Sequence, residues 1–276
     1  MKKAVVNAID SETWQFTEQY LGENVYCYLL VGTEKALLID TAYGFTDLVG
    51  AIKELTDKPL MVVNTHGHFD HISGNYRFGE TFLSEKDWEL YRLHSRRETI
   101  DAIVKDAVGG GIKGRLAALA LRPSLSGIYS HPFPATRSLP ECGYFELGNR
   151  RVEIVETPGH THGSVSLLDV KNGWFFSGDT CGDVGMLLHF AESTEVKTFH
   201  ETIRHIRGLV GSGRVTRNYP SHQTSPAPLE KLESYDKLLD RMELGTISEA
   251  EWKKGIAELD GIKIQFDPKR VREEIA

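Results

Sequence analysis

The residues best suited to do chemistry lie in one short segment, Thr65-His66-Gly67-His68-Phe69-Asp70-His71. The chain of 276 residues contains 11 histidines, and three of them fall within this segment. Alternate side chains of an extended segment project to the same side, so His66 and His68 would lie together. A turn after His68 would bring Asp70 and His71 round to a neighbouring position. One short loop can therefore supply ligands to two adjacent metal ions.

Three other segments place a ligand-type side chain directly after a strand-like run that stops at small or turn-forming residues. They are Thr157-Pro158-Gly159-His160, Phe176-Ser177-Gly178-Asp179 and Tyr219-Pro220-Ser221-His222. This repeated pattern indicates several loops that converge at one edge of a sheet, where active sites are commonly built. Imidazole and carboxylate donors without a thiolate favour zinc, with iron or manganese as alternatives, whereas magnesium and calcium prefer more oxygen ligands.

These motifs resemble those of the metallo-β-lactamase superfamily: His-x-His-x-Asp-His, then Gly-His, Gly-Asp and a final His. The resemblance runs from about Asn24, through Leu37-Leu38-Ile39-Asp40-Thr41, to His222. It implies an α/β fold class, the αββα sandwich in which two mixed sheets face each other beneath outer helices. It also implies a first metal held by His66, His68 and His160, a second held by Asp70, His71 and His222, and Asp179 as a bridge between them.

The resemblance also implies a reaction. Two metals about 3.5–4 Å apart can share a hydroxide, which is a nucleophile at neutral pH. Asp70 would accept a hydrogen bond from that hydroxide and orient it, which makes Asp70 the candidate catalytic residue. A bridging Asp179 resembles thioesterases of the glyoxalase II type, lactonases and phosphodiesterases more than true β-lactamases.

We therefore expect a zinc-dependent hydrolase with two Zn²⁺ that cleaves an ester-like bond, in a thioester, lactone or related small molecule. Two alternatives stay open: a phosphodiesterase on the same scaffold, and an oxidoreductase like the persulfide dioxygenases, which uses one iron.

Strands and helices alternate along the chain in the way such a fold requires. Hydrophobic patterning predicts the strands Val25–Val31, Lys35–Asp40, Leu60–Asn64, Arg151–Glu156, Ser164–Val170 and Gly173–Ser177, and the helices Thr46–Leu55 and Ser193–Leu209. Gly32-Thr33-Glu34 and Asn172-Gly173 are the predicted hairpin turns. We expect residues 1–276 to form a single domain.

Residues 84–143 differ from the rest and are predicted to form a helical insertion or lid. Ile100, Ile103, Val104 and Ala107 mark one helical face. Gly109-Gly110-Gly111 then breaks the pattern, and a second helix is expected to end at Pro123. The tail, residues 226–276, is predicted to be mainly helical, with one short strand at Ile262–Phe266.

Composition limits the partners. A formal charge of −7 argues against nucleic-acid binding over a broad basic surface but leaves room for a local basic pocket. Three scattered cysteines, no signal-peptide core and no apolar run long enough to span a bilayer favour a cytoplasmic enzyme that acts on a small molecule, away from membranes. The pattern does not predict an oligomeric state.

Several other residues are of interest near the motifs. His162 is about equally a ligand and a neighbour of the site, while Cys181 is expected to be a small residue in a tight turn. His94, His131, His189, His200 and His205 are expected to be surface or helix residues without a role as ligands.

Overall fold

The computed structural model describes residues 2–20, 23–109 and 111–275. Contacts within the chain divide it into two units. The first comprises Met1–Glu141 and Glu146–Asn149, and the second comprises Cys142–Phe145 and Arg150–Ala276. The expectation of a single domain over 1–276 stays a prediction, and the two units are described one at a time.

The first unit contains a seven-stranded sheet in which the strands follow one another in chain order. They are β1 (Val5–Ala8), β2 (Thr13–Tyr20), β3 (Glu23–Val31), β4 (Ala36–Ile39), β5 (Leu60–Val63), β6 (Thr81–Phe82) and β7 (Thr136–Arg137). Strands β1 to β4 pair antiparallel, and β4 to β7 pair parallel. The hairpin predicted at Gly32–Glu34 joins β3 to β4, with the Gly32 amide donating to the Lys35 carbonyl at 2.9 Å.

Strands β4 and β5 explain where the first ligands lie. Leu37, Leu38 and Ile39 are buried, as expected of a strand covered on both faces. Because β4 and β5 are parallel neighbours, their carboxyl ends meet at one edge of the sheet. Asp40 and the residues that follow Val63 are therefore brought side by side.

The helices of the first unit are α1 (Leu48–Leu55), α2 (Phe69–Ile72), α3 (Trp88–His94), α4 (Arg97–Val108) and α5 (Gly111–Tyr129). The last three form the predicted helical insertion. Ile100 and Val104 of α4 enter the same apolar core as Leu38 and Val62 of the sheet. The break predicted at Gly109–Gly111 separates α4 from α5, although Gly110 lies outside the described residues.

The prediction that a helix ends at Pro123 is wrong, since α5 continues to Tyr129. Proline removes one backbone donor from the helix. Beyond Pro123, however, Leu125 and Ile128 are buried in the core of the first unit. Burying two such side chains is worth about 1.5–3 kcal/mol each, which is comparable to the cost of the proline.

The second unit contains a five-stranded sheet in the order β13-β11-β10-β9-β8 and a three-stranded sheet in the order β12-β15-β14. Its strands are β8 (Tyr144–Glu146), β9 (Arg151–Glu156), β10 (Val165–Asp169), β11 (Trp174–Gly178), β12 (Gly185–Leu188), β13 (Arg217–Pro220), β14 (Ile256–Leu259) and β15 (Ile262–Phe266). Its helices are α6 (Val196–Gly211), α7 (Lys231–Glu243), α8 (Glu249–Lys254) and α9 (Pro268–Ile275).

The core of the second unit lies where α6 and α7 bury their apolar faces. Phe199, Ile203 and Ile206 of α6 are buried, as their helical spacing predicted, and pack in one cluster with Tyr235 and Leu238 of α7. The strand predicted at Ile262–Phe266 is β15, and the tail also contains β14, which was not predicted. Within the described part of the chain, none of the helices has the length and apolar character that a membrane span requires.

Candidate metal centre

The first unit brings four of the predicted ligands together in residues 66–71, here called the ligand loop. His66 Nε2 lies 3.1 Å from His68 Nδ1. The rings of His66 and His71 have their centroids 4.0 Å apart. Asp70 Oδ2 lies 3.7 Å from His71 Nε2. Three imidazoles and one carboxylate of the ligand loop therefore converge within the first unit.

Asp40 fixes which ring nitrogen of His66 and of His71 is available to a metal. Its Oδ1 accepts the Thr65 amide, and its Oδ2 accepts the Thr65 hydroxyl, both at 2.8 Å. The same Oδ2 lies 2.9 Å from His71 Nδ1, which must therefore carry a hydrogen and leave the Nε2 lone pair for a metal. The Thr65 hydroxyl donates to Asp40, so it accepts from His66 Nδ1 at 3.1 Å, and His66 Nε2 also keeps its lone pair.

These residues fit a divalent transition metal. Two nitrogens bound to one tetrahedral zinc at about 2.0–2.1 Å lie roughly 3.3 Å apart. His66 Nε2 and His68 Nδ1, at 3.1 Å, have nearly that spacing. A cation between them would accept both lone pairs, and the imidazole and carboxylate donors are the types that zinc prefers.

The backbone at Asp40 is strained in order to make these contacts. Asp40 is fully buried and has a φ of 61°, a left-handed value that few residues other than glycine adopt. Strain of this kind is commonly found at functional sites, where the surroundings hold it in place. Here the Thr41 amide and Asn64 Nδ2 both donate to the His71 carbonyl at 2.9 Å, which ties Asp40 and the ligand loop together.

Helix α3 supports the ligand loop from another direction. The Gly67 amide donates to the buried Asp87 Oδ2 at 2.9 Å. A Cβ added at Gly67 would lie 3.0 Å from the Tyr91 nitrogen, so a larger residue would force the loop or the helix to shift by a few tenths of an ångström. His94 Nδ1 accepts the Phe69 amide at 3.0 Å, and the ring stacks on His68 with centroids 5.0 Å apart. His94 thus contacts the ligand loop, where a surface or helix residue without a role was expected.

The second unit brings the other three predicted ligands together. Asp179 Oδ2 lies 3.5 Å from His160 Nε2, and Asp179 Oδ1 lies 3.5 Å from His222 Nε2. His160 Nδ1 lies 2.9 Å from the Leu187 carbonyl and donates to it, which leaves Nε2 for a metal. The two oxygens of one carboxylate therefore face two different imidazoles, and the predicted role of Asp179 as a bridge stays a prediction.

Strand pairing explains this second group. Strands β11 and β13 are parallel neighbours that end at Gly178 and Pro220, so Asp179 and His222 emerge at the same edge. The Ser221 amide donates to the Gly178 carbonyl at 2.9 Å, and this hydrogen bond joins the loop that holds Asp179 to the loop that holds His222. His160 follows β9 after a turn at Gly159, where a Cβ would lie 2.4 Å from the Phe199 ring. That turn has room only for glycine.

The other residues of interest lie outside these two groups. Cys181 is buried in the core of the second unit, and burial raises the pKa of its thiol to about 12. A metal binds the thiolate form of cysteine, and the raised pKa keeps the Cys181 thiol protonated. Cys181 is therefore a packing residue, as expected. The side chain of His162 is exposed.

His200 differs from its prediction as a plain helix residue. It is fully buried, and its two ring nitrogens lie 2.9 Å from Asp236 Oδ1 and Glu243 Oε1 on α7. Arg204 and Arg207 of α6 pair with the same group of acidic residues. This ion-pair network joins α6 to α7.

Residues 21–189, more than half of the chain, match the family model of the metallo-beta-lactamase superfamily. The chain belongs to the metallo-β-lactamase superfamily. It is 25% identical to human acyl-coenzyme A thioesterase MBLAC2 over 73% of this chain and 74% of that protein. It is 26% identical to the probable metallo-hydrolase MJ0888 of Methanocaldococcus jannaschii over 71% and 85% of the two chains.

Solved structures show the same fold. The metallo-beta-lactamase family protein TTHA1429 from Thermus thermophilus superposes with a TM-score of 0.60 at 19% identity, covering 86% of this chain and 82% of that one. The predicted fold class, an α/β metallo-β-lactamase fold with a helical insertion, is confirmed. As a member of this superfamily with these relatives, the chain is a metal-dependent hydrolase. Membership also implies divalent metal ions.

The sequence predicts the ligand types but not the residues that hold them in place. The structure groups His66, His68, Asp70 and His71 within the first unit, and His160, Asp179 and His222 within the second; one shared centre stays a prediction. Asp40 carried a usable signal, because it too follows directly on a buried strand. Asp87 and His94 carried none, since they belong to an insertion that no superfamily motif covers.

Proposed function

We propose that this chain is a dinuclear zinc hydrolase that cleaves acyl thioesters of the acyl-CoA type. In this proposal the four ligands of the first unit and the three of the second form one centre. His66, His68 and His160 hold the first zinc, Asp70, His71 and His222 hold the second, and Asp179 bridges them.

One observation carries the two-metal part of this proposal. The Asp179 oxygens each lie 3.5 Å from a different imidazole, and one belongs to each proposed set of ligands. This arrangement would let one carboxylate bind two adjacent metals, each held by a different set of imidazoles. The tautomers set by Asp40 and by the Leu187 carbonyl give further support, because they leave His71 Nε2 and His160 Nε2 as acceptors.

When bound, two zinc ions supply a water acidic enough to attack at neutral pH and polarise the carbonyl that is attacked. Asp70, whose side chain is about one quarter exposed, accepts a hydrogen bond from the attacking water and directs its lone pair at the thioester carbon. Asp40 keeps His71 oriented throughout. Water adds to the acyl group, the carbon–sulfur bond breaks, and the products are a carboxylic acid and a thiol.

The choice of a thioester as the substrate class rests on the similarity of this chain to a named relative. The human relative is named an acyl-coenzyme A thioesterase and aligns with 73% of this chain. A bridging carboxylate also resembles the thioester-cleaving branch of the superfamily more than the β-lactam-cleaving one. The test is a panel of acyl-CoA, lactone, phosphodiester and β-lactam substrates; if thioesters are not the best substrates on it, the proposed substrate class is wrong.

Asp179→Asn tests the bridge itself. The change preserves shape but removes the negative charge that offsets two dications, so zinc affinity and thioesterase turnover should each fall at least about ten-fold. Asp183→Asn is the matched control, since it lies in the same loop and accepts the Thr224 amide at 3.1 Å without being a proposed ligand. Equal metal content and activity in wild type and Asp179→Asn would rule out Asp179 as a ligand.

A further inference from the structure

The helical insertion of the first unit contains a cleft of about 720 Å³. It is formed by α3, the start of α4, the end of α5 and residues 131–136. A volume of several hundred cubic ångströms is typical of sites for small ligands. We call it the arginine cleft, because Arg92, Arg96 and Arg97 all line it.

The charge of the arginine cleft is opposite to that of the chain. Among the described residues, three arginines line it and no acidic residue does, although the whole chain carries a net charge of −7. Arg97 lies 3.7 Å from Asp101, and Arg92 pairs with Glu89. Within the described part of the chain, the Arg96 guanidinium has no hydrogen bond or ion pair. Two of the three arginines are thus paired with a carboxylate, and the Arg96 guanidinium is the group in the cleft that can bind an anion.

The start of α4 adds to this preference. Its N-cap is Arg96, and no side chain caps the first turn. The amides of that turn and the positive end of the helix dipole therefore act alongside the guanidinium groups, as they do in many phosphate sites.

The walls of the arginine cleft are flat and apolar. Trp88, Tyr129 and Phe133 line it, and the Arg97 guanidinium sits 4.6 Å from the centre of the Tyr129 ring. Within the described residues, the buried Trp88 Nε1 has no hydrogen-bond partner. Such surfaces favour a planar ring that can stack, and arginines favour phosphate groups. A ligand with both properties is a phosphorylated nucleoside.

Helix α3 and its N-cap contact both the cleft and the ligand loop. Trp88 and Tyr91 of α3 line the cleft, while Gly67 of the loop packs against the backbone of Tyr91 and bonds to Asp87. A helix with its side chains is about 10–12 Å across. The flexible arm that joins the diphosphate of coenzyme A to its sulfur is long enough to span the width of a helix.

We propose that the arginine cleft binds the phosphorylated nucleoside end of coenzyme A while the acyl thioester lies at the ligand loop. This inference rests on the proposed thioesterase function, and it names the part of the substrate that the insertion recognises. Arg96 is the specificity-determining residue, because its charge is not neutralised by a neighbouring carboxylate.

Binding is tested by calorimetry on the metal-loaded protein, with adenosine 3′,5′-bisphosphate and coenzyme A as probes. Charged hydrogen bonds of this kind are worth roughly ten-fold in affinity or more, so Arg96→Glu should weaken both probes by at least that factor. Lys58→Glu is the matched control, since it makes the same change of charge at an exposed residue of the first unit that does not line the cleft. Affinities that Arg96→Glu leaves unchanged would overturn the proposal.

Kinetics separate this inference from the function on which it rests. Two substrates with one acyl group are compared: the coenzyme A thioester and the N-acetylcysteamine thioester, which has no phosphate. Arg96→Glu should raise KM for the first about ten-fold with kcat retained, and leave kcat/KM for the second unchanged. Equal effects on both substrates would contradict carrier recognition.

If wild type hydrolyses neither thioester, the proposed function fails, and coenzyme A binding that depends on Arg96 still supports the cleft as its site. If the bisphosphate binds through Arg96 but coenzyme A does not, the cleft serves a free nucleotide and its assignment to the substrate carrier is wrong.

Discussion

Asp40 shows at the scale of single residues how the fold prepares a metal ligand. Its carboxylate accepts from Thr65 and from His71 Nδ1, and this sets the ring nitrogen that His71 presents. A carboxylate behind a ligating histidine raises the basicity of the imidazole and fixes its orientation. The left-handed φ of 61° at Asp40 indicates that the chain tolerates strain to place this group.

Asp40→Asn should therefore weaken zinc binding about 10–100-fold, because the amide supports His71 without a negative charge. The measurement is a competition titration with a chromophoric chelator. Asp169→Asn is the matched control. Asp169 is equally buried, but it pairs with Arg150 at 2.7 Å and is not one of the residues that position the proposed ligands. Both variants should unfold more easily, yet only Asp40→Asn should lose zinc affinity. A loss of the same size in both would assign Asp40 a purely structural role.

The types and spacing of the ligands could be predicted because they are a local property of the sequence. His66, His68, Asp70 and His71 lie within six positions. Their supporting partners are not local: Asp87 reaches the loop across 20 residues and His94 reaches it across 25. Such contacts depend on how α3 packs, and no short motif encodes that packing.

At the scale of elements, α3 sets the position of the ligand loop through its close approach to Gly67. Gly67→Ala would place a Cβ 3.0 Å from the Tyr91 nitrogen and 3.2 Å from the Asp87 carbonyl oxygen. Backbone atoms of a helix cannot yield easily, so the ligand loop should move instead. The zinc affinity of Gly67→Ala should fall roughly ten-fold, as for other losses of ligand orientation.

The control for that change is Gly208→Ala in α6. A Cβ there has no neighbour within 4 Å, and alanine in an exposed helix position stabilises by about 0.5–1 kcal/mol. The measurements are the thermal unfolding temperature and the zinc affinity of both variants. Gly67→Ala protein that binds zinc as tightly as Gly208→Ala protein would show that α3 does not position the loop.

The sequence predicted most strands near the site because they are short, apolar and bounded by turns, as β4, β5 and β10 are. It did not predict β2, in which Glu18 is buried. The Glu18 carboxylate accepts the amide and hydroxyl of Thr46 at 2.6 Å, and this offsets the cost of burial. Patterns of hydrophobicity cannot anticipate a buried charge whose partners lie 28 positions away.

At the scale of the whole molecule, two features of the chain have opposite charge. The net charge of −7 disfavours polyanions such as nucleic acids, whereas the arginine cleft provides a local positive site of defined size. A small phosphorylated substrate can bind in the positive cleft, while the negative net charge of the chain limits the binding of larger polyanions. The superfamily motifs supply the candidate metal ligands, and the insertion is where this chain has room for its own specificity.

The central claim is that seven residues bind two zinc ions, and elemental analysis of the purified protein tests it most directly. Four imidazole or carboxylate donors from the ligand loop and three from His160, Asp179 and His222 suffice for two ions and a shared water. Protein purified with zinc should therefore contain about two equivalents per chain and lose its activity with chelation. A single tightly bound iron, or no transition metal even after reconstitution with zinc, would contradict the account.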